Sequence, residues 1–125
     1  LVGHIAAGSP ILAIQNIESH VSMSDYRNSF LLRVRGESMR DAGIMHDDLV
    51  IVREQQEAHN GDIVAVMLGD EATVKTYRQQ GDKVILQPAN PDFAPVTVDK
   101  DSDEFRIIGV VTGLLRDYKP LRRNK

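Results

Sequence analysis

Asp62-Ile63-Val64-Ala65-Val66-Met67-Leu68, then Gly69-Asp70, then Ala72-Thr73-Val74-Lys75-Thr76-Tyr77 is the stretch that decides the fold. Two apolar, β-branched runs flank a Gly-Asp pair, which reads as a hairpin with a tight turn. The same grammar continues outward. Gln80-Gly81-Asp82 is a second turn and leads into Lys83-Val84-Ile85-Leu86-Gln87. Upstream, Phe30-Leu31-Leu32-Arg33-Val34-Arg35 and Leu49-Val50-Ile51-Val52 read as strands. Downstream, Pro88, Pro91 and Pro95 bracket a loop, because proline has no N–H for a central ladder. Val96-Thr97-Val98 reads as a short strand. Ile107 to Leu115 reads as a buried strand bent at Gly109 and Gly113. A single helical turn is expected around Ser38 to Ala42. The pattern predicts a mainly β fold, a sandwich or partly open barrel of short antiparallel strands.

The bulk properties narrow the functional classes. At 125 residues, 42% hydrophobic and 26% charged, the chain suits one domain with its own core. It has no cysteine, which excludes disulfides, cysteine zinc sites and a thiol nucleophile. Its net charge of -3 is not the footprint of a nucleic-acid-binding module. Arg116, Lys119, Arg122, Arg123 and Lys125 read as a solvated basic tail. No apolar run is long enough to cross a bilayer, and the start does not read as a signal peptide. A cytoplasmic protein is expected. Because the chain opens on Leu1, a preceding domain is also expected. Residues 1–20 are small and flexible in character, and read as an arm that reaches another surface.

Two residues carry candidate chemistry. Ser38 follows a strand in Gly36-Glu37-Ser38-Met39, where the glycine permits a sharp turn and an exposed hydroxyl. Ser38 and Asp41 also have the spacing of a helix-capping box, so capping and nucleophile both stand. Lys75 sits in a strand among apolar neighbours. It is either a solvated lysine or a desolvated base. An ordinary lysine is charged at neutral pH, but burial disfavours the charged form and lowers its pKa. Each tenfold change in that balance is worth about 1.4 kcal/mol. A neutral amine of this kind activates a serine hydroxyl. His4, His20, His46 and His59 lie in no triad-like or metal-binding context and read as surface or hydrogen-bonded residues. No metal or organic cofactor is expected.

Taken together, the motifs resemble the C-terminal half of LexA-type repressors. Val2-Gly3, Ala6-Ala7-Gly8, Gly36-Glu37-Ser38-Met39 with Gly43-Ile44, and Asn60-Gly61-Asp62-Ile63-Val64 occur in the order of that family. Glu71-Ala72-Thr73-Val74-Lys75, Pro88-Ala89-Asn90-Pro91 and Ile108-Gly109-Val110-Val111 continue it over nearly the whole chain. Lys119 to Lys125 run past the family's usual end. The resemblance implies a LexA/signal-peptidase-like fold in which residues 1–125 form one catalytic and dimerisation domain. It also implies that Ser38 is the nucleophile and Lys75 the general base. Ala7-Gly8 is then the scissile bond, carried on the arm. The implied activity is self-cleavage in the SOS response to DNA damage, stimulated by RecA filaments on single-stranded DNA. The implied assembly is a homodimer, formed by an edge strand near Ile107 to Leu115. Operator DNA would be bound only through an N-terminal DNA-binding domain absent from this chain. A UmuD-like polymerase subunit and a phage repressor share the same chemistry. Two further readings are a non-catalytic β-rich dimerisation module and a signal-peptidase-like enzyme acting on other proteins.

Overall fold

The hairpin centred on Gly69-Asp70 forms as its pattern requires: β4 (Ile63–Leu68) pairs antiparallel with β5 (Glu71–Gln80), with Leu68 opposite Glu71 and Val64 opposite Lys75. The computed structural model describes residues 26–118 and the backbone of Val2–His4. The remaining strands are β1 (Val2–His4), β2 (Ser29–Arg33), β3 (Leu49–Glu54), β6 (Lys83–Gln87), β7 (Val96–Asp99) and β8 (Phe105–Leu115). All pair antiparallel in one open sheet of order β1-β2-β3-β8-β4-β5-β6-β7. The fold is mainly β, as the alternation predicts. The expected helical turn is present as a single 3-10 turn, Arg40–Ala42.

The core lies in two clusters, because the sheet is buried on both faces at its centre. Phe30, Leu32, Val50, Val52, Ala65 and Val74 pack with Met39 and Ile44 from the irregular stretch between β2 and β3. Val64, Val66, Tyr77, Val84, Leu86, Ile107 and Val110 form the other cluster. Neighbouring residues Val64 and Ala65 thus point into different clusters, which follows from the two-residue period of a strand. Gly109 lies where β8 crosses β3: a Cβ there would overlap the Arg53 carbonyl oxygen and come within 2.8 Å of Val52 Cγ1.

Three expectations need correction. β8 is not an edge strand along its whole length. Phe105 to Val110 pair with β4 and Gly109 to Leu115 pair with β3, so the middle of the strand is enclosed on both sides. The two ladders overlap at Gly109 and Val110, and on either side of them β8 pairs with one neighbour among the described residues. The apolar length that suggested a dimer edge reflects packing into both core clusters, with Ile107 and Val110 in one and Ile108, Val111 and Leu114 against the other. Second, the arm expected over residues 1–20 begins with a strand, since Val2–His4 pairs with Leu32, Leu31 and Phe30. Third, Arg116 is not part of a solvated tail, because it pairs with the buried Asp48. Ala7, Gly8, His20 and Lys119–Lys125 lie outside the described residues. Among the described residues, no helix is long and apolar enough to cross a membrane.

Candidate active site

Lys75 reaches the site because β5 is a long, regular strand. Thr73 and Lys75, two residues apart, share a strand face, and Lys75 Nζ donates to Thr73 Oγ1 at 2.8 Å. The same Nζ lies 3.1 Å from Ser38 Oγ. Burial pushes the Lys75 amine below the ordinary lysine value. Among the described groups that contact this amine, two hydroxyls and no carboxylate hydrogen-bond to it. Its proton therefore lacks the ion-pair stabilisation that would offset desolvation. The structure thus brings together the two residues singled out in the sequence, 37 positions apart.

Ser38 is held by irregular backbone, clamped from several directions. Gly36, with φ at +86°, makes the sharp turn out of β2 that a side chain would disfavour. Its N–H donates to His46 Nδ1 at 2.8 Å. The loop after β6 grips the next two residues. Asn90 Nδ2 donates to the Glu37 carbonyl at 2.8 Å, and the Ala89 N–H donates to the Ser38 carbonyl at 2.8 Å. Asp41 N–H returns a bond to the Ala89 carbonyl. Met39, fully buried, anchors the chain immediately after the serine. The capping box suggested by Ser38 and Asp41 does not form: the 3-10 turn has no side-chain cap, its N-cap position is Met39, and Asp41 accepts from Arg40 instead.

A cleft of about 90 Å³ opens beside Ser38, between Leu32–Arg35 at the end of β2 and Ala72–Val74 at the start of β5. A larger open groove, about 610 Å³, lies between Gln56–Ala58 and Phe105–Ile107 and contains neither Ser38 nor Lys75. Among the described residues, no three His, Asp or Glu side chains are grouped to hold a metal ion. His46 is the acceptor for Gly36, and His59 is exposed.

Thr73, Asn90 and His46 have positioning roles that residue type and spacing did not reveal. The two-residue offset of Thr73 from Lys75 was the available signal for the first. Nothing in the local sequence points from Asn90 to Glu37, 53 residues away, or from His46 to Gly36.

The Peptidase S24-like family model matches residues 1–112. The chain is 49% identical over 124 residues to the LexA repressor of Ralstonia nicotianae, covering 96% of this chain and 57% of that protein. It is 48% identical over 122 residues to the LexA repressor of Herminiimonas arsenicoxydans, covering 94% and 56%. It is 47% identical over 120 residues to that of an Azoarcus species, covering 93% and 59%. The chain therefore spans a little over half the length of these curated relatives. With the family model matched over most of its length, the chain belongs to the Peptidase S24-like family.

Proposed function

We propose that this chain is the self-cleaving, dimer-forming C-terminal domain of a LexA-type transcriptional repressor, and that it cuts its own Ala7-Gly8 bond. The observation that carries the reading is the 3.1 Å approach of Lys75 Nζ to Ser38 Oγ, with the amine partly desolvated and, among the described groups, hydrogen-bonded to hydroxyls only. A neutral lysine bonded to two hydroxyls has its lone pair available for one of them. With Thr73 Oγ1 accepting one N–H, neutral Lys75 can turn its lone pair to the Ser38 hydroxyl, 3.1 Å away.

The arm docks in the cleft between β2 and β5 and presents the Ala7 carbonyl to Ser38 Oγ. Lys75 takes the hydroxyl proton as the Oγ–C bond forms. Backbone N–H groups near Ser38 hold the tetrahedral oxyanion, a donor of this kind being worth a factor of about 100 to 1000. Protonated Lys75 then gives its proton to the Gly8 nitrogen as the peptide C–N bond breaks. Water hydrolyses the acyl-enzyme and regenerates Ser38. No metal or organic cofactor enters these steps.

Regulation rests on arm docking. A partner that binds only the docked state raises its population. Driving it from about 1% to 99% requires about 5.5 kcal/mol of differential binding. The LexA likeness nominates RecA filaments on single-stranded DNA as that partner, in the SOS response to DNA damage. It also nominates a cytoplasmic homodimer. Such a dimer would place two N-terminal DNA-binding domains on a two-fold operator.

The test is to incubate the purified chain from pH 7 to 10 and weigh the products. Two fragments split after Ala7, formed faster as pH rises toward the lysine pKa, support the reading. An intact chain throughout, or a rate flat across that range, rejects the lysine base.

A further inference from the structure

We propose that Arg116 is a positioning residue for Ser38, pinning the turn that follows the serine to the end of β8. The inference rests on Ser38 being the nucleophile. The loop after β6 holds Glu37, Ser38 and Asp41 through Asn90 and Ala89, but makes no backbone bond to Gly43–Met45. On the other side the chain runs irregularly from Met39 to Asp48, with one 3-10 turn and no strand. Arg116 closes that stretch. Its Nε donates to Asp48 Oδ1 at 2.7 Å and its Nη2 to Asp48 Oδ2 at 2.8 Å. Nη2 also donates to the Gly43 carbonyl at 2.9 Å. Asp48, 1% exposed, accepts the Met45 N–H through Oδ2 at 2.7 Å. One guanidinium therefore gathers Gly43, Met45 and Asp48 against the strand that runs through the centre of the sheet.

The link to the serine is short. Gly43 N–H donates to the Arg40 carbonyl and Ile44 N–H donates to the Met39 carbonyl. Met39 and Ile44 are buried in the same cluster. A shift of Gly43 to Met45 thus moves Met39, the neighbour of Ser38. Arginine suits this role because its planar fork matches a carboxylate and stays charged across the alkaline range in which Lys75 becomes a base. The guanidinium also holds the Asp48 carboxyl below the usual carboxylate range.

The experiment compares self-cleavage of the full chain, Arg116→Gln and Arg116→Lys from pH 7 to 10, at a temperature where circular dichroism shows each variant folded. Misplacing a reacting atom by about 1 Å costs on the order of 100-fold in rate. Arg116→Gln should lower the plateau rate by about 10- to 100-fold. Arg116→Lys, which keeps the charge but loses the fork, should lie between. The pH midpoint should not move, because β5 sets the burial of Lys75. A folded Arg116→Gln chain that cuts at the parent rate overturns the proposal. So does a raised midpoint, which would mean a loosened lysine pocket. If Arg116→Gln does not fold, Arg116→Lys decides on the same two readouts. If the parent chain itself does not cut, the serine–lysine reading fails. Hydrogen exchange then tests the pin separately, with faster exchange at residues 43–45 in the variant expected and unchanged exchange overturning it.

Discussion

The β4–β5 hairpin and the serine turn bring one partner each to the candidate site, and they are built on opposite principles. Lys75 stands on a strand of ten residues whose ladder to β4 fixes every position by alternation. Ser38 stands on backbone with almost no ladder. It is located by Asn90, Ala89, His46 and buried Met39, and on its far side by the Asp48–Arg116 pair. A ladder spreads positional control over many equivalent bonds. Clamps concentrate it in a few polar contacts, each able to fail singly. The comparison predicts that local change displaces the hydroxyl more readily than the amine.

The largest effects remove the chemistry itself. Ser38→Ala and Lys75→Ala should each abolish cleavage after Ala7, read by mass spectrometry at pH 9–10, while circular dichroism retains the β signature. A variant of either kind that still cuts would end the division of labour between the two regions. Next comes the strand that joins them. Gly109→Ala places a methyl group against the Arg53 carbonyl and Val52, and overpacking of this kind costs about 1–3 kcal/mol or more. Its melting temperature should fall by several degrees, and an unchanged value would mean that β3 and β8 can separate freely. Asn90→Ala strips the Glu37 carbonyl of its donor. It should cost about 1–3 kcal/mol and slow cleavage more than a β4–β5 hairpin change of similar stability cost, such as Val66→Ala. Equal slowing would erase the contrast.

Lys75→Met gives the pH signature. Because the folded amine is pushed below its ordinary value, the unfolded chain binds its proton more tightly. The wild-type chain therefore loses stability below the ordinary lysine pKa and recovers it as pH rises through that range. Lys75→Met should be more stable at pH 7, with the gain shrinking toward pH 10. A constant gain would mean a solvated amine. For Asp48 the sign is reversed. Arg116 lowers its carboxyl pKa, so its contribution is complete above the ordinary carboxylate value and is lost as pH falls through the depressed one. The smallest change expected is His46→Ala. It removes an exposed bond to Gly36, costs about 0.5 kcal/mol, and should slow cleavage only slightly.

The strands were legible because burial on a pleated sheet writes itself into a period of two. Lys83–Gln87 has the bounds its pattern predicts, and Glu71–Gln80 and Phe105–Leu115 extend theirs by a few residues. The interior placement of β8 was not legible. A long apolar strand looks the same whether it is enclosed by two neighbours or waiting for one. Arg116 was misread for a similar reason, since its partner lies 68 residues away and local charge density favoured a tail.

The sequence alone determined the strands, their turns, the lack of thiol chemistry, and the two residue types able to form an alcohol–amine pair. These follow from local sterics and periodicity, which act over a few residues. Tertiary structure alone decided that Lys75 Nζ meets Ser38 Oγ at 3.1 Å, that the amine is partly desolvated, and that Asn90 and Arg116 brace the serine turn. Desolvation and long-range polar contacts depend on which distant segments the folded sheet brings together, and no local pattern encodes that.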